Sequence, residues 1–86
     1  PISLLDHYVG TYKYADNDFV VVTRMGDHLA ERENGQDKLE LFAEGERDFF
    51  FKTMDTQVTF ETGPDGQAIA AIWHQDGQDQ RGVRVP

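Results

Sequence analysis

Residues 48–75 read DFFFKTMDTQVTFETGPDGQAIAAIWHQ, and this stretch decides the fold. Three short runs rich in Phe, Val, Thr, Ile and Trp are separated by Met54-Asp55 and by Gly63-Pro64-Asp65-Gly66. Aromatic and β-branched residues suit a pleated, half-buried surface, glycine supplies positive φ, and proline presets a turn's first central residue. The stretch therefore predicts three antiparallel strands. Successive side chains of a strand point to opposite faces, so neighbouring hairpins share a core only if their apolar residues fall on one side. Closing the chain over Met54 and Asp55 sets Phe51 against Val58 and Phe49 against Phe60. Closing it over residues 63–66 sets Phe60 against Ile69, Val58 against Ala71 and Thr56 against Trp73. One face collects them all.

The same pattern extends in both directions. Turn clusters recur at Asp16-Asn17-Asp18, Gly26-Asp27, Asn34-Gly35, Glu44-Gly45-Glu46 and Asp76-Gly77, at intervals of about ten residues. Together they divide the chain into eight predicted strands. A three-residue turn at 44–46 sets Leu41 against Phe49 and Leu39 against Phe51. A loop over 16–18 pairs Tyr14 with Val20 and Tyr12 with Val22, and a two-residue turn at Gly26-Asp27 pairs Val22 with Glu31 and Arg24 with Leu29. A two-residue turn at Asn34-Gly35 would put Leu39 on the wrong face, so a three-residue loop including Gln36 is expected, setting Glu31 against Leu39. In the last hairpin a loop over 76–78 places Val83 and Val85 inside.

The expected interior is then Tyr12, Tyr14, Val20, Val22, Leu29, Leu39, Leu41, Phe49, Phe51, Val58, Phe60, Ile69, Ala71, Trp73, Val83 and Val85. The fold class is all-β: an eight-stranded antiparallel up-and-down meander closed as a lipocalin-like barrel, a single domain over residues 1–86. Eight strands enclose an interior that side chains fill or that holds one small ligand, and closure removes exposed sheet edges. A two-sheet sandwich with the same strand order is the competing architecture. Residues 1–10 read as a short helical turn leading into the first strand, with Ser3 as its cap and Gly10 ending it.

The chain resembles a known family along nearly its whole length. The residues that carry the resemblance are Leu5-x-x-Tyr8-x-Gly10-x-Tyr12, Gly26-Asp27-x-Leu29, Leu39-Glu40-Leu41-Phe42, Phe49-Phe50-Phe51, Val58-Thr59-Phe60 and His74-Gln75-Asp76-Gly77. It is similar to the small lipocalin-like domain of unknown function found at the C-terminus of serine β-lactamase-like hydrolases and esterases. That resemblance implies a barrel-like fold and an accessory role beside a hydrolase, with no catalytic residue in the domain itself. One wall departs from it: Glu31-Arg32-Glu33 stand where relatives continue with apolar or small residues.

Composition narrows the function classes. Sixteen acidic residues against eight basic ones give a net charge of −8, which repels phosphate backbones and anionic lipid, so neither nucleic acid nor a membrane is an expected partner. No apolar run approaches the roughly 20 residues of a membrane span, and none reads as a secretory signal. Cysteine is absent, so neither a disulfide nor a thiolate metal site contributes. Ser3 is the only serine and lacks a nucleophile-elbow sequence. His7, His28 and His74 show no metal-ligand spacing, and Asp16-Asn17-Asp18 lacks the glycine and closing glutamate of a calcium loop. No cofactor is implied.

Two features remain. Tyr12, Tyr14, Arg24, Glu31 and Trp73 are expected to line any interior pocket, with Arg24 and Glu31 as a paired polar handle in an apolar cavity or as a plain rim ion pair. Phe42, Phe50 and Ile72 are expected on the outer face, with Phe19 and Val21 on another strand, as a surface for a hydrolase domain or a second copy of the chain. The leading functional expectation is a non-catalytic module acting through its outer surface; the alternative is a carrier for a small apolar ligand. Closure also predicts that the first and last strands meet, with Arg81 or Arg84 over the Tyr12 ring.

Overall fold

A computed structural model describes residues 2–86, the side chains of residues 2 and 3 excepted. The expected capping by Ser3 therefore lies outside the described residues. A single helical turn, α1 (Ile2–Leu5), leads into eight strands: β1 (Gly10–Ala15), β2 (Asp18–Met25), β3 (His28–Glu33), β4 (Leu39–Ala43), β5 (Asp48–Phe51), β6 (Thr56–Thr62), β7 (Ala68–Gln75) and β8 (Gln78–Val85). Each strand pairs antiparallel with the next, and β8 returns to β1, so the sheet is a closed barrel rather than a sandwich. Among the described residues, no sheet edge is left unpaired.

Register is where expectation and structure part. The pairings Val22 with Glu31, Arg24 with Leu29, and Glu31 with Leu39 stand as expected. Asn34-Gly35 nevertheless keeps its two-residue turn: both residues have positive φ, and the Gln36 amide donates to the Glu33 carbonyl. One extra residue between that turn and Leu39 then restores the register of the longer loop.

Four other hairpins are displaced by two positions. Tyr12 opposes Val20 rather than Val22, because Asp18 joins β2 and Tyr14 bulges out of the ladder. Leu41 opposes Phe51 rather than Phe49, the loop sliding along to Gly45–Arg47. Phe49 opposes Val58 and not Phe60, since the chain spans 52–55 before Thr56 begins β6. Phe60 opposes Ala71 and not Ile69, and Val58 opposes Trp73, after a bulge at Ile69. A shift of two keeps every side chain on its face. The predicted interior therefore survives in these strands, Ile69 on its bulge excepted, although its partners change.

The last hairpin differs by one residue, and there the faces do change. Asp76 and Gly77 both adopt positive φ, a two-residue turn that pairs Gln75 with Gln78. Val83, expected inside, is 48% exposed, and Val85 pairs with Thr11 on the outer face. Ile69, carried on its bulge, is 44% exposed. Ala68 and Ala71 take the inner positions of β7, and Gly82 takes the inner position of β8. The Tyr14 ring fills the missing volume: a Cβ on Gly82 would lie 2.4 Å from it. With the Tyr14 ring in place of the missing side chain, the Asp76-Gly77 turn overrides the hydrophobic pattern of β8.

Most of the core lies toward the end that α1 covers. Tyr8 stacks on Phe60 with ring centroids 4.7 Å apart, and Phe49 meets both rings edge-on. Leu5, Tyr12, Leu29 and Leu41 complete this cluster. The Tyr12 hydroxyl donates to the Tyr8 carbonyl at 2.7 Å and that of Tyr8 to the Glu46 carbonyl at 2.6 Å, so each buried phenol is satisfied. Burial pushes the Tyr12 phenol up to about 12, partly offset by the Arg84 cation.

Candidate functional site

The turns at 16–17, 34–35, 52–55 and 76–77 all fall at the barrel end away from α1. Alternation along β2 and β3 carries the inner row of each strand toward this mouth: Val22, Val20 and Asp18 on one, Leu29, Glu31 and Glu33 on the other. From across the barrel come Trp73 of β7 and Gln80 of β8, which are paired. Trp73 rests on Phe51 at 5.5 Å and meets Tyr14 edge-on at 6.4 Å. A cavity of about 100 Å³ opens among Tyr14, Asp18, Glu33, Trp73 and Gln80. It is well below the roughly 300 Å³ of a pocket for a drug-sized ligand.

The electrostatics of this mouth are unusual. Glu31 is only 2% exposed, and its Oε2 has no hydrogen-bond partner. Burial, together with the Glu33 and Asp18 charges, pushes its carboxyl up to about 7. Glu33 is likewise raised to about 7, chiefly because its carboxyl shares a hydrogen bond with that of Asp18. The Tyr14 phenol donates to the Ala71 carbonyl at 2.9 Å, and burial followed by the Glu31 charge raises it further. Among the described residues, none of the ion pairs involves Asp18, Glu31 or Glu33.

Of the five residues expected in a pocket, Tyr14, Glu31 and Trp73 are brought together. Tyr12 and Arg24 are not. Tyr12 is fully buried beside Phe60 in the helix-capped cluster. Arg24 stands at that same capped rim, where Nη1 reaches both Asp6 carboxylate oxygens at 3.0 and 3.1 Å and Nε donates to the Gly26 carbonyl. The expected Arg24–Glu31 handle does not form, because Asp6 on the segment after α1 offers the guanidinium an exposed partner that costs no burial. Asp18 and Glu33, which the expectation missed, were legible as the next inner positions beyond Val20 and Glu31.

The outer surface is also rearranged. Phe42 and Phe50 are neighbours at 6.1 Å, but each is half-buried, with His28 stacked on Phe42 at 5.0 Å and the Lys52 ammonium over its face at 4.1 Å. Ile72, beside Thr59 and Arg81, is separated from them by β6. The exposed apolar residues gather instead around the seam where the barrel closes: Phe19, Val21, Ile69 and Val83. Val83 opposes Lys13, which opposes Phe19, and Val85 opposes Thr11, which opposes Val21. A shallow groove of about 610 Å³ runs there between Thr11, Ile69, Val83 and Val85. Arg84 lies beside it, opposite Tyr12, and its guanidinium donates to the Val9 and Ala68 carbonyls rather than lying over the Tyr12 ring. Arg81 pairs with Glu61, holding that carboxyl below its usual range.

One further constellation has the outline of catalytic machinery. Asp79 contacts His74 Nδ1 at 2.7 Å, and His74 Nε2 lies 2.8 Å from the Thr59 hydroxyl. A nucleophilic threonine would have to give its proton to the imidazole. The single Thr59 proton is instead directed to Asp48 at 2.7 Å. The array is a hydrogen-bonded strap across β5–β8, and no catalytic feature is evident among the described residues.

Residues 1–84 match the model of a domain of unknown function, DUF3471. The chain belongs to this family. The DUF3471 domain here is also 33% identical over 83 residues to penicillin-binding protein 4* of Bacillus subtilis (strain 168). That match takes in 96% of this chain but 18% of the relative, so the domain corresponds to a small part of a longer protein. No solved structure matches the chain.

Proposed function

We propose that this DUF3471 domain is a non-catalytic accessory module that docks, through the outer wall at its barrel seam, against the body of a hydrolase of the penicillin-binding-protein type. The observation carrying this reading is the clustering of Ile69, Val83 and Val85 around one shallow groove, on a domain whose match covers 18% of its relative's length. Contiguous exposed apolar surface on a small acidic domain favours a protein partner. The interior supports the same reading. Stacked rings fill the barrel centre, which leaves the outer wall as the larger surface for recognition.

A chimera tests it. This chain replaces its matched segment in the Bacillus subtilis relative, with and without Ile69→Asp and Val83→Asp. The expected result is a chimera in which the double variant exposes the hydrolase body to limited proteolysis at least several-fold faster, while the isolated domain keeps its melting temperature. Equal proteolysis of both chimeras would remove this wall as a docking face. Light scattering of the isolated chain is expected to give a monomer, and a stable dimer abolished by the same substitutions would assign the wall to self-association instead.

A further inference from the structure

We infer, building on the docking role proposed above, that the hydrolase face covered by this domain is apolar at its centre and carries carboxylates that meet Lys13 and Arg32.

Strand pairing fixes what the seam wall displays. Val85, Thr11, Val21 and Arg32 stand side by side in one outward row that crosses β8, β1, β2 and β3. Val83, Lys13 and Phe19 form the row beside it. The chain has sixteen acidic residues against eight basic ones, yet no outward position of β1, β2 or β3 carries a carboxylate. The acids of these strands, Asp18, Glu31 and Glu33, all belong to the inner rows. Outward carboxylates stand elsewhere: Glu40 on β4, Asp48 on β5, Glu61 on β6 and Asp79 at the mouth end of β8. An acidic domain therefore presents one apolar wall with a basic border.

The cations of that border are poorly matched within the chain. Arg32 is exposed and enters no ion pair among the described residues. Lys13 reaches Asp16 at 3.5 Å, but the Asp16 side chain is 98% exposed, so water screens the contact. Arg81, at the far edge, is already held by Glu61. Covering an apolar wall strips water from the cations beside it, and each then needs an acceptor. A carboxylate supplies one: its two oxygens match the planar N–H fork of Arg32, and either oxygen accepts from the Lys13 ammonium.

The same charges sort the occupants. A second copy docked symmetrically face to face would bring two basic borders together, and like charges oppose that pairing. An anionic lipid surface would attract the border, but the rest of a chain with net charge −8 repels it. A protein face with a few carboxylates set around an apolar centre satisfies both the valines and the cations.

The Bacillus subtilis chimera distinguishes the docking role from the charge of its partner. Lys13→Glu with Arg32→Glu is compared with Lys38→Glu with Arg47→Glu, which changes the net charge equally at exposed positions off the wall. Ile69→Asp with Val83→Asp is the third variant. At about 20 mM salt the Lys13 and Arg32 reversal is expected to expose the hydrolase body to proteolysis at least about fivefold faster than its charge-matched control. At about 500 mM salt, where exposed charges are screened, the difference should shrink below about twofold, while the Ile69 and Val83 variant stays open. If the reversal unfolds the isolated domain by circular dichroism, Arg32→Gln takes its place with a smaller loss in the same direction. Should the Ile69 and Val83 variant open the body while the reversal matches its control, docking stands and the carboxylate complement is overturned. Equal cleavage of all the chimeras removes docking and its complement together. Co-sedimentation of the isolated domain with phosphatidylglycerol–phosphatidylcholine vesicles, lost in the reversal, would assign the border to lipid and likewise overturn the proposal.

Discussion

The two ends of this barrel are built from the same alternating strands and yet do opposite things with their inner rows. At the end covered by α1, the inner positions are Tyr8, Tyr12, Phe49 and Phe60, whose rings stack and whose hydroxyls reach backbone carbonyls. At the open end the inner positions are Tyr14, Glu31, Glu33, Asp18 and Trp73: Asp18 and Glu33 line the mouth, Glu31 is buried, and among the described residues none of the three carboxyls enters an ion pair. Aromatic rings reach the open end too, where Trp73 rests on Phe51 and meets Tyr14 edge-on, but there they share the inner rows with carboxyls. Aromatic packing and buried charge are thus separated along the barrel axis.

The contrast is sharpest in side-chain truncation. Phe60→Ala removes a ring packed against Tyr8, Tyr12 and Phe49 and should cost about 3–5 kcal/mol, read as the shift in urea unfolding. Trp73→Ala, at the half-buried mouth, should cost distinctly less despite the larger ring. Equal losses would erase the division between the ends.

Gly82→Ala probes the boundary between them. A Cβ at this position meets the Tyr14 ring at 2.4 Å, so the ring must swing outward, at a cost of about 1–3 kcal/mol. Combining it with Tyr14→Ala should be far less than additive, because the clash disappears with the ring. Additivity would mean that the ring does not fill the gap in β8.

At the open end the test is pH. The folded-state carboxyl of Glu31 lies near 7, above its usual value of 4.5, so between those values the folded chain binds more protons than the unfolded one. This group's contribution is intact below about 4.5 and is lost as pH rises through 7. Glu31→Gln should therefore gain on the order of 1–3 kcal/mol relative to wild type between pH 4 and pH 8, followed by thermal melts across that range. A difference that does not change with pH would show that Glu31 is not desolvated.

Much of this was legible beforehand because it rests on local chemistry. Of the sixteen residues expected inside, Tyr12, Val20, Val22, Leu29, Leu41, Phe49, Phe51, Val58, Phe60 and Ala71 are buried, as alternation requires. Their pairing partners were not legible. Loops over 45–47 and 52–55 and the bulges at Tyr14 and Ile69 each absorb residues without a distinctive sequence mark. Most of these displacements were of two positions and left the faces intact. The one-residue change at Asp76-Gly77 and the bulge at Ile69 moved Val83 and Ile69 outside and thereby created the outer groove. Tyr14, Glu31 and Trp73 were found because the alternation was right; Arg24 was misplaced because Asp6, distant in sequence, competes for it.

The sequence by itself determined that the chain is an all-β meander, which turns separate its strands, and which side of most strands is apolar, because turn propensity and two-residue alternation are properties of the local backbone, whereas the choice of closed barrel over sandwich came from the structure. Only the tertiary structure decided which residues face one another, which mouth stays open, and that Glu33 and Asp18 line it. Those outcomes depend on how volumes and charges from distant strands fit around a closed ring, and no local stretch of chain carries that information.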